Sequence, residues 1–189
     1  MSYLYIKIDL EQKRLHSMLL DPAQRDKGFR RLMAKYGDRL YWHIRRIVVG
    51  HDDAEDVLQE TCIKILSAID SLKSGDRLIT WTYSIATRES RRHLHKQTRL
   101  FQTIDALRPA LVGKLEAENP MDGQEVEMTF QKALLTLPTQ QRIAFNMRYY
   151  DDMSYEEIAA VTGKNIGTLK ANYHYATEKI RKFVKDHSL

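Results

Sequence analysis

Four prolines and eight glycines are the only strong backbone breakers in 189 residues, and between them apolar residues recur at steps of three and four. A strand alternates with period two and a helix with period 3.6, so this pattern predicts helix almost throughout. Phe29, Leu32, Tyr36, Leu40, Ile44 and Ile47 mark one face of a long helix. Asp21-Pro22 is expected to open it, as an N-cap followed by proline at the first helical position, and Gly50 to end it. A second helix is expected in HDDAEDVLQETCIKILSAIDSL. Its first turn carries Asp52 and Asp53, where the helix dipole favours carboxylates, and Val57, Leu58, Cys62, Ile65 and Leu66 form its buried face. KSGDR, Lys73 to Arg77, has the composition of a loop, and a third helix runs from about Ile79 through WTYSIATRESRRHLHKQ.

Past Arg99 the character changes. Pro109, Gly113, Pro120 and Gly123 fall in a mostly acidic stretch that follows a basic helix, longer than the usual connection inside a domain. The expected fold is therefore all-α: two small helical domains joined by a flexible linker, the C-terminal one a helix-turn-helix domain. Residues 1–20 form an N-terminal extension of unassigned role, 21–99 the first domain, 100–125 the linker and 126–189 the second domain. A net charge of +5 favours a polyanionic partner, a property shared with ribosome-associated and membrane-surface proteins. The single cysteine, Cys62, excludes an intramolecular disulfide framework and is expected as core filler. No apolar run approaches the ~20 residues of a membrane span, and Lys7, Asp9 and Glu11 interrupt the early apolar patch with no cleavage site after it. A cytoplasmic protein without membrane insertion is expected.

In the C-terminal half, Pro138 lies near the start of a helix whose inward face is Ile143, Ala144, Met147 and Tyr150. Ser154, followed three residues later by Glu157, is a capping box, each side chain satisfying the other residue's free backbone N–H. Gly163 supplies a left-handed stop. A further helix keeps Ile166, Leu169, Tyr173, Ala176 and Ile180 on one stripe. Ala159, Gly163 and Leu169 suit a helix-turn-helix, in which a small residue admits the second helix, glycine turns the chain and the apolar residue locks it down. The opposite face carries Lys164, Asn165, Thr168, Lys170, Ala171, Asn172 and His174, able to reach base edges or phosphates. An antiparallel helix pair with a solvated outer face also satisfies this spacing.

Arg88, Arg91, Arg92, His95 and Arg99 share one helical face, with Lys96 beside it. Trp81 and Tyr83 begin the same helix. Arginines beside aromatics suit single-stranded nucleic acid, whose phosphates pair with the cations while bases stack on rings; a core tryptophan with solvated arginines is the plainer alternative. The preceding helix is opposite in sign: Asp53, Glu55, Asp56, Gln59 and Glu60 make an acidic face, suited to a basic protein partner or simply to water. There is no phosphate-cradling glycine loop, no HExxH pair and no cysteine cluster. Neither catalytic residues, nor a cofactor, nor a metal is expected.

Taken together these motifs resemble the RNA polymerase sigma factors, in particular the small extracytoplasmic-function group of the sigma-70 family, over roughly Gln24 to Phe183. DDAEDVLQETCIKIL is similar to that family's D-AEDLVQE-F-K-W segment, TWTYSIAT to its WLYRIAR core, and LLTLPTQQRIAFNMRYYDDMSYEEIAAVTGKNIGTLK to its LP–R–RYY–S–YEEIA–G–GTVK signature. The resemblance implies that 21–99 is region 2, docking on core RNA polymerase through Asp53, Asp56, Gln59 and Glu60. It implies that the loop and helix bearing Arg77, Trp81, Tyr83, Arg88, Arg91, Arg92, His95, Lys96 and Arg99 hold the melted −10 element. It also implies that 126–189 is region 4, reading the duplex −35 element through Arg142, Lys164, Asn165, Thr168, Lys170, Ala171 and His174. An anti-sigma factor is the further partner it implies. The chain departs from the family pattern at Thr87-Arg88, Arg92, Asn172 and Tyr175. A stand-alone helix-turn-helix regulator that never meets polymerase is the alternative, and the acidic helix at 52–60 discriminates, since a regulator has no need of it.

Overall fold

The computed structural model describes residues 3–101, 103–118 and 125–187, and every regular element among them is helical. The order is α1 (Tyr3–Leu20), α2 (Arg25–Val48), α3 (His51–Ala68), α4 (Leu78–Phe101), α5 (Ile104–Glu118), α6 (Glu125–Leu135), α7 (Thr139–Tyr149), α8 (Tyr155–Thr162) and α9 (Ile166–His187), with short 3₁₀ turns at Ile69–Ser71 and Gly75–Arg77.

The predicted stripe on α2 is the centre of the molecule: Leu32, Leu40, Ile44 and Ile47 are fully buried. α1, α3, α4 and α7 all pack on this helix. Its ends differ from expectation. Asp21 opens a turn rather than the helix, because its carboxylate accepts from the Ala23 N–H at 2.9 Å and the Gln24 amide at 2.8 Å. At the other end Val49, not Gly50, takes the positive φ of 75°. Gly50 N–H then reaches back to Val48 O at 3.1 Å, a tight γ-turn that strains a β-branched residue.

The segment expected as a flexible linker is largely a helix. Leu107, Leu111 and Leu115 recur at steps of four and bury with Val49, Met128 and Leu135. That apolar stripe outweighs Pro109, which removes one backbone donor inside α5, and Gly113, whose site is open on all sides. Pro120 and Gly123, the other expected breakers, lie outside the described residues. Val49 is therefore a plug: its strained turn aims the side chain into the leucine row of α5.

The two halves are also joined through a shared core. One cluster runs from Leu32, Ile44 and Ala86 to Ile143, Met147, Ile158 and Leu169, as α8 lies on α4 and α7 on α2. A second set, Leu134, Phe145, Ala176 and Ile180, closes α6, α7 and α9 upon one another. Cys62 is half-buried beside Met33, and burial pushes its thiol up, away from reactive thiolate.

Residues 1–20, unassigned from sequence, include α1, which braces the 3₁₀ turn before α4. Gln12 Oε1 accepts from the Ile79 N–H at 3.1 Å. A Cβ on Gly75 would stand 2.8 Å from the Lys13 Cα and 2.9 Å from the His16 Cβ. Because the first obstacle is backbone, Gly75→Ala is expected to destabilise the chain by about 1–3 kcal/mol. Thermal unfolding measures this, and an unchanged Tm would mean that α1 does not seat on the turn as described.

Candidate nucleic-acid interface

The helix-turn-helix is assembled as the spacing predicts. Ser154 Oγ accepts from the Glu157 N–H at 3.2 Å while Glu157 accepts from the Ser154 N–H at 2.8 Å, completing the capping box. Gly163 closes α8 with φ 69°. Leu169 is 1% exposed and bonds the reader helix to the core, while Lys164, Asn165, Thr168, Lys170, Ala171 and His174 all face solvent. Asn165 has a structural duty as well: its Oδ1 accepts from the Thr168 N–H at 2.7 Å, capping α9. Its amide nitrogen is left for a phosphate or a base. Lys170 Nζ sits 5.7 Å from the Tyr155 ring centre, a cation–π contact that fixes its stem.

Arg142 departs from this group. The family resemblance implies that it faces −35 DNA, but it is 3% exposed, on the inward face of α7 beside Ile143, and donates to Ile47 O at 3.0 Å. Burial, with Arg108 nearby, pushes its guanidinium down to about 10. A residue so placed cannot touch DNA while α7 lies on α2.

On α4, Arg88, Arg91, Arg92, His95, Lys96 and Arg99 are exposed as the spacing requires, and Arg77 is exposed in the turn before them. Arg88, Arg91 and His95 line a groove shared with Thr139 and Gln140 at the start of α7. The two aromatics part company. Two residues along a helix is a rotation of about 200°, so Trp81 is half-exposed while Tyr83 is 1% exposed, edge-on to His43 with ring centres 5.0 Å apart. Tyr83 is corrected from a stacking platform to a core residue; burial first, then Asp151, pushes its phenol up to about 12.

The acidic face of α3 survives only in part as an open surface. Asp56, Gln59 and Glu60 are exposed, but Glu60 lies 3.6 Å from Arg92, which also pairs with buried Glu89 at 2.5 Å. The acidic face of α3 and the basic face of α4 thus meet at Arg92. Asp53 is engaged inside the chain: Lys114 of α5 approaches at 2.5 Å, His93 at 3.1 Å and the Gln97 amide at 3.3 Å. Burial alone would raise its carboxyl, yet Lys114, His93 and Gln97 together hold it below the usual carboxylate range.

Sequence reading missed a buried polar set between the halves. His43, fully buried on the apolar stripe of α2, lies 2.6 Å from Asp151 Oδ2 and 2.9 Å from Thr87 Oγ1. Arg46 reaches Asp151 Oδ1 at 3.4 Å and lies over the Tyr150 ring at 4.1 Å. A histidine between Leu40 and Ile44 was the available signal: a polar side chain on a core face needs a partner from elsewhere.

Two small helical modules, one a helix-turn-helix with an open reader face and the other carrying a basic helix beside an acidic one, define a DNA-binding protein with an additional protein-docking surface. Residues 32–100 match the family model for sigma-70 region 2 and residues 127–180 that for sigma-70 region 4. The ECF RNA polymerase sigma-E factor of Escherichia coli (strain K12) is 29% identical over 182 residues, 90% of this chain and 95% of that protein. The RNA polymerase sigma-H factor of Pseudomonas aeruginosa is 29% identical over 175 residues, 87% and 91% of the two chains. Among solved structures, the sigma factor RpoE of Bartonella quintana, in complex with the anti-sigma factor NepR, aligns with TM-score 0.67 and 25% identity over 84% of this chain and 98% of that one. CnrH, in complex with the cytosolic domain of CnrY, shares the fold at TM-score 0.68 and 18% identity, over 95% and 99%. The chain belongs to the extracytoplasmic-function group of the sigma-70 family.

Proposed function

We propose that this chain binds core RNA polymerase through the exposed part of α3, holds the melted −10 strand on α4, and reads the −35 duplex with α9. The single observation that carries this is the coexistence of an exposed acidic patch, Asp56, Gln59 and Glu60, with an exposed arginine helix and a solvent-open reader face in one chain. A stand-alone regulator accounts for the last of these but leaves the first without a use. On this reading 21–99 is region 2 and 126–189 region 4, with α5 between them. Asp53 joins the docking surface only when Lys114 lets it go, and Tyr83 and Arg142 are removed from the DNA-contacting set. The chain supplies contacts and the polymerase the chemistry, so its place of action is the cytoplasm. Among the described residues no helix is long and apolar enough to cross a membrane. The anti-sigma factor NepR named for one solved relative supports an antagonist of the same kind here, seated over α3 and the helix-turn-helix.

The test is reconstitution with core polymerase and promoter-dependent transcript initiation. Gln59→Ala is expected to weaken core binding by about five- to thirty-fold, the loss of one interface anchor of roughly 1–2 kcal/mol. If Gln59→Ala and Asp56→Ala both leave core binding unchanged, the docking assignment is wrong.

A further inference from the structure

The first turn of α4 is capped from a distant part of the chain. Helix N-termini leave backbone N–H groups free, and Ser, Thr, Asp or Asn just before the helix ordinarily accepts from one of them. Here the residue before α4 is Arg77, and a guanidinium has donors only, so it cannot cap. The 3₁₀ turn supplies one acceptor, Gly75 O for the Leu78 N–H. The next donor, the Ile79 N–H, is met from 67 residues away, by Gln12 Oε1 of α1 at 3.1 Å. Arg77 is left exposed, in a run with Lys73, Ser74 and Asp76.

The rest of α1 clamps the same turn. Gly75 admits no side chain, because the Lys13 Cα and the His16 Cβ lie 2.8 and 2.9 Å from where a Cβ would stand. His16 is 8% exposed, and its Nε2 finds no hydrogen-bond partner among the described residues. Leu15 and Leu19 join Ile69 and Leu78, which flank the turn, in one core cluster. Arg25 ties the far end of α1, its Nε donating to Leu19 O at 2.8 Å while its Nη2 lies 3.8 Å from Asp70. The Ser74 hydroxyl donates to Asp76, and this bond, with Lys13 of α1 and Arg77 nearby, holds the Asp76 carboxyl below the usual carboxylate range. Two local rules are broken together: a helix start lacks its own cap, and a buried imidazole nitrogen lacks a partner. Such breaks concentrate where function sets the residue.

We propose that α1 is the positioning element of the strand-reading turn: Gln12 and His16 fix residues 73–77 so that Arg77 and its exposed neighbours select among bases of the melted strand. The inference rests on the reading of α4 and its turn as the holder of that strand. An arginine at the cap position is free to reach a base or a phosphate because another helix does the capping. A turn held by local bonds alone would sample several backbone shapes, each presenting Arg77 differently, and selectivity would average out. Gln12 and His16 act on the strand only through the turn.

The test uses holoenzyme assembled from core polymerase and the full chain, with Gln12→Ala and Gln12→Glu beside wild type. Glutamate keeps an acceptor at that point, and its charge suits a helix N-terminus; alanine removes it. Holoenzyme is offered a random-sequence single-stranded DNA pool, and the bound strands are sequenced. Wild type is expected to enrich a short motif. Gln12→Ala is expected to lose about three- to tenfold of that preference, the scale of one lost cap, with core affinity within about twofold of wild type. Gln12→Glu is expected to retain the preference. Exchange of the Ile79 amide with solvent, read by NMR in the free chain, is expected to quicken in Gln12→Ala and not in Gln12→Glu. Unchanged Ile79 exchange in Gln12→Ala, or faster exchange with an unchanged motif, overturns the proposal. So does a Gln12→Glu protein that loses more than Gln12→Ala, the result of a direct contact in which a carboxylate meets phosphate. Wild type that binds no core, or enriches no motif, refutes the polymerase and strand-holding reading, and the proposal falls with it; the Ile79 exchange separates that outcome from a missing brace.

Discussion

Leu169→Ala is expected to lower stability by about 2–5 kcal/mol, roughly 5–15 °C in Tm for a chain of this length, and to abolish −35-dependent binding. The side chain is 1% exposed and belongs to the same cluster as Ile158, Val161 and Met147. It is the wedge between α8 and α9, so the cavity left behind frees the reader helix from its support at the residue that sets its angle. The exposed side chains of α9 are untouched by the substitution, which makes the comparison with Lys170→Ala informative. That exposed change should cut affinity for −35 duplex and flatten its salt dependence without moving Tm. Circular dichroism melting with duplex binding at several salt concentrations separates the two, and a Leu169→Ala protein with wild-type Tm would contradict the packing.

The second large effect is expected on α4. Arg91→Glu should weaken promoter opening by roughly ten- to a hundred-fold, the scale of losing a charge-assisted hydrogen bond and gaining a repulsion, while leaving core binding within about twofold. Arg91 is exposed and no ion pair ties it down among the described residues. Arg92 is a poorer probe of the same question. It lies between Glu89 and Glu60, so reversing its charge sets a carboxylate against buried Glu89, which keeps only Arg88 at 4.0 Å, and disturbs Glu60 as well. Arg92→Glu is therefore expected to reduce both core binding and opening. Permanganate footprinting of the melted strand, run beside a core-binding titration, distinguishes the two positions. Equal losses of both activities in Arg91→Glu would remove that residue from the strand-holding set.

Local chemistry explains which expectations carried over. The stripes of α2 and α9, the Ser154 capping box and the Gly163 stop depend on neighbours within about four residues, where helical geometry is the same in every protein. α5 escapes a local reading because Pro109 and Gly113 are breakers by type, whereas the leucines at 107, 111 and 115 meet a partner in Val49 and Met128 that no local pattern names. Tyr83 shares a residue type with Trp81, but the helical period separates them by about half a turn and turns Tyr83 into the core.

Periodicity and local motifs set the inventory: helices, their apolar faces, a cap, a turn and the charged surfaces that mark the family. Periodicity is an intrinsic property of the chain, and it sorts side chains into inward and outward on each helix. Which helix an inward polar group meets follows from long-range packing alone. Asp151, Asn146 and Arg142 are unremarkable in α7 and its following turn until the open carbonyls of Arg46 and Ile47 and the ring of His43 arrive from about a hundred residues away. A buried donor or acceptor must find its complement, and that complement is set by packing rather than by sequence distance.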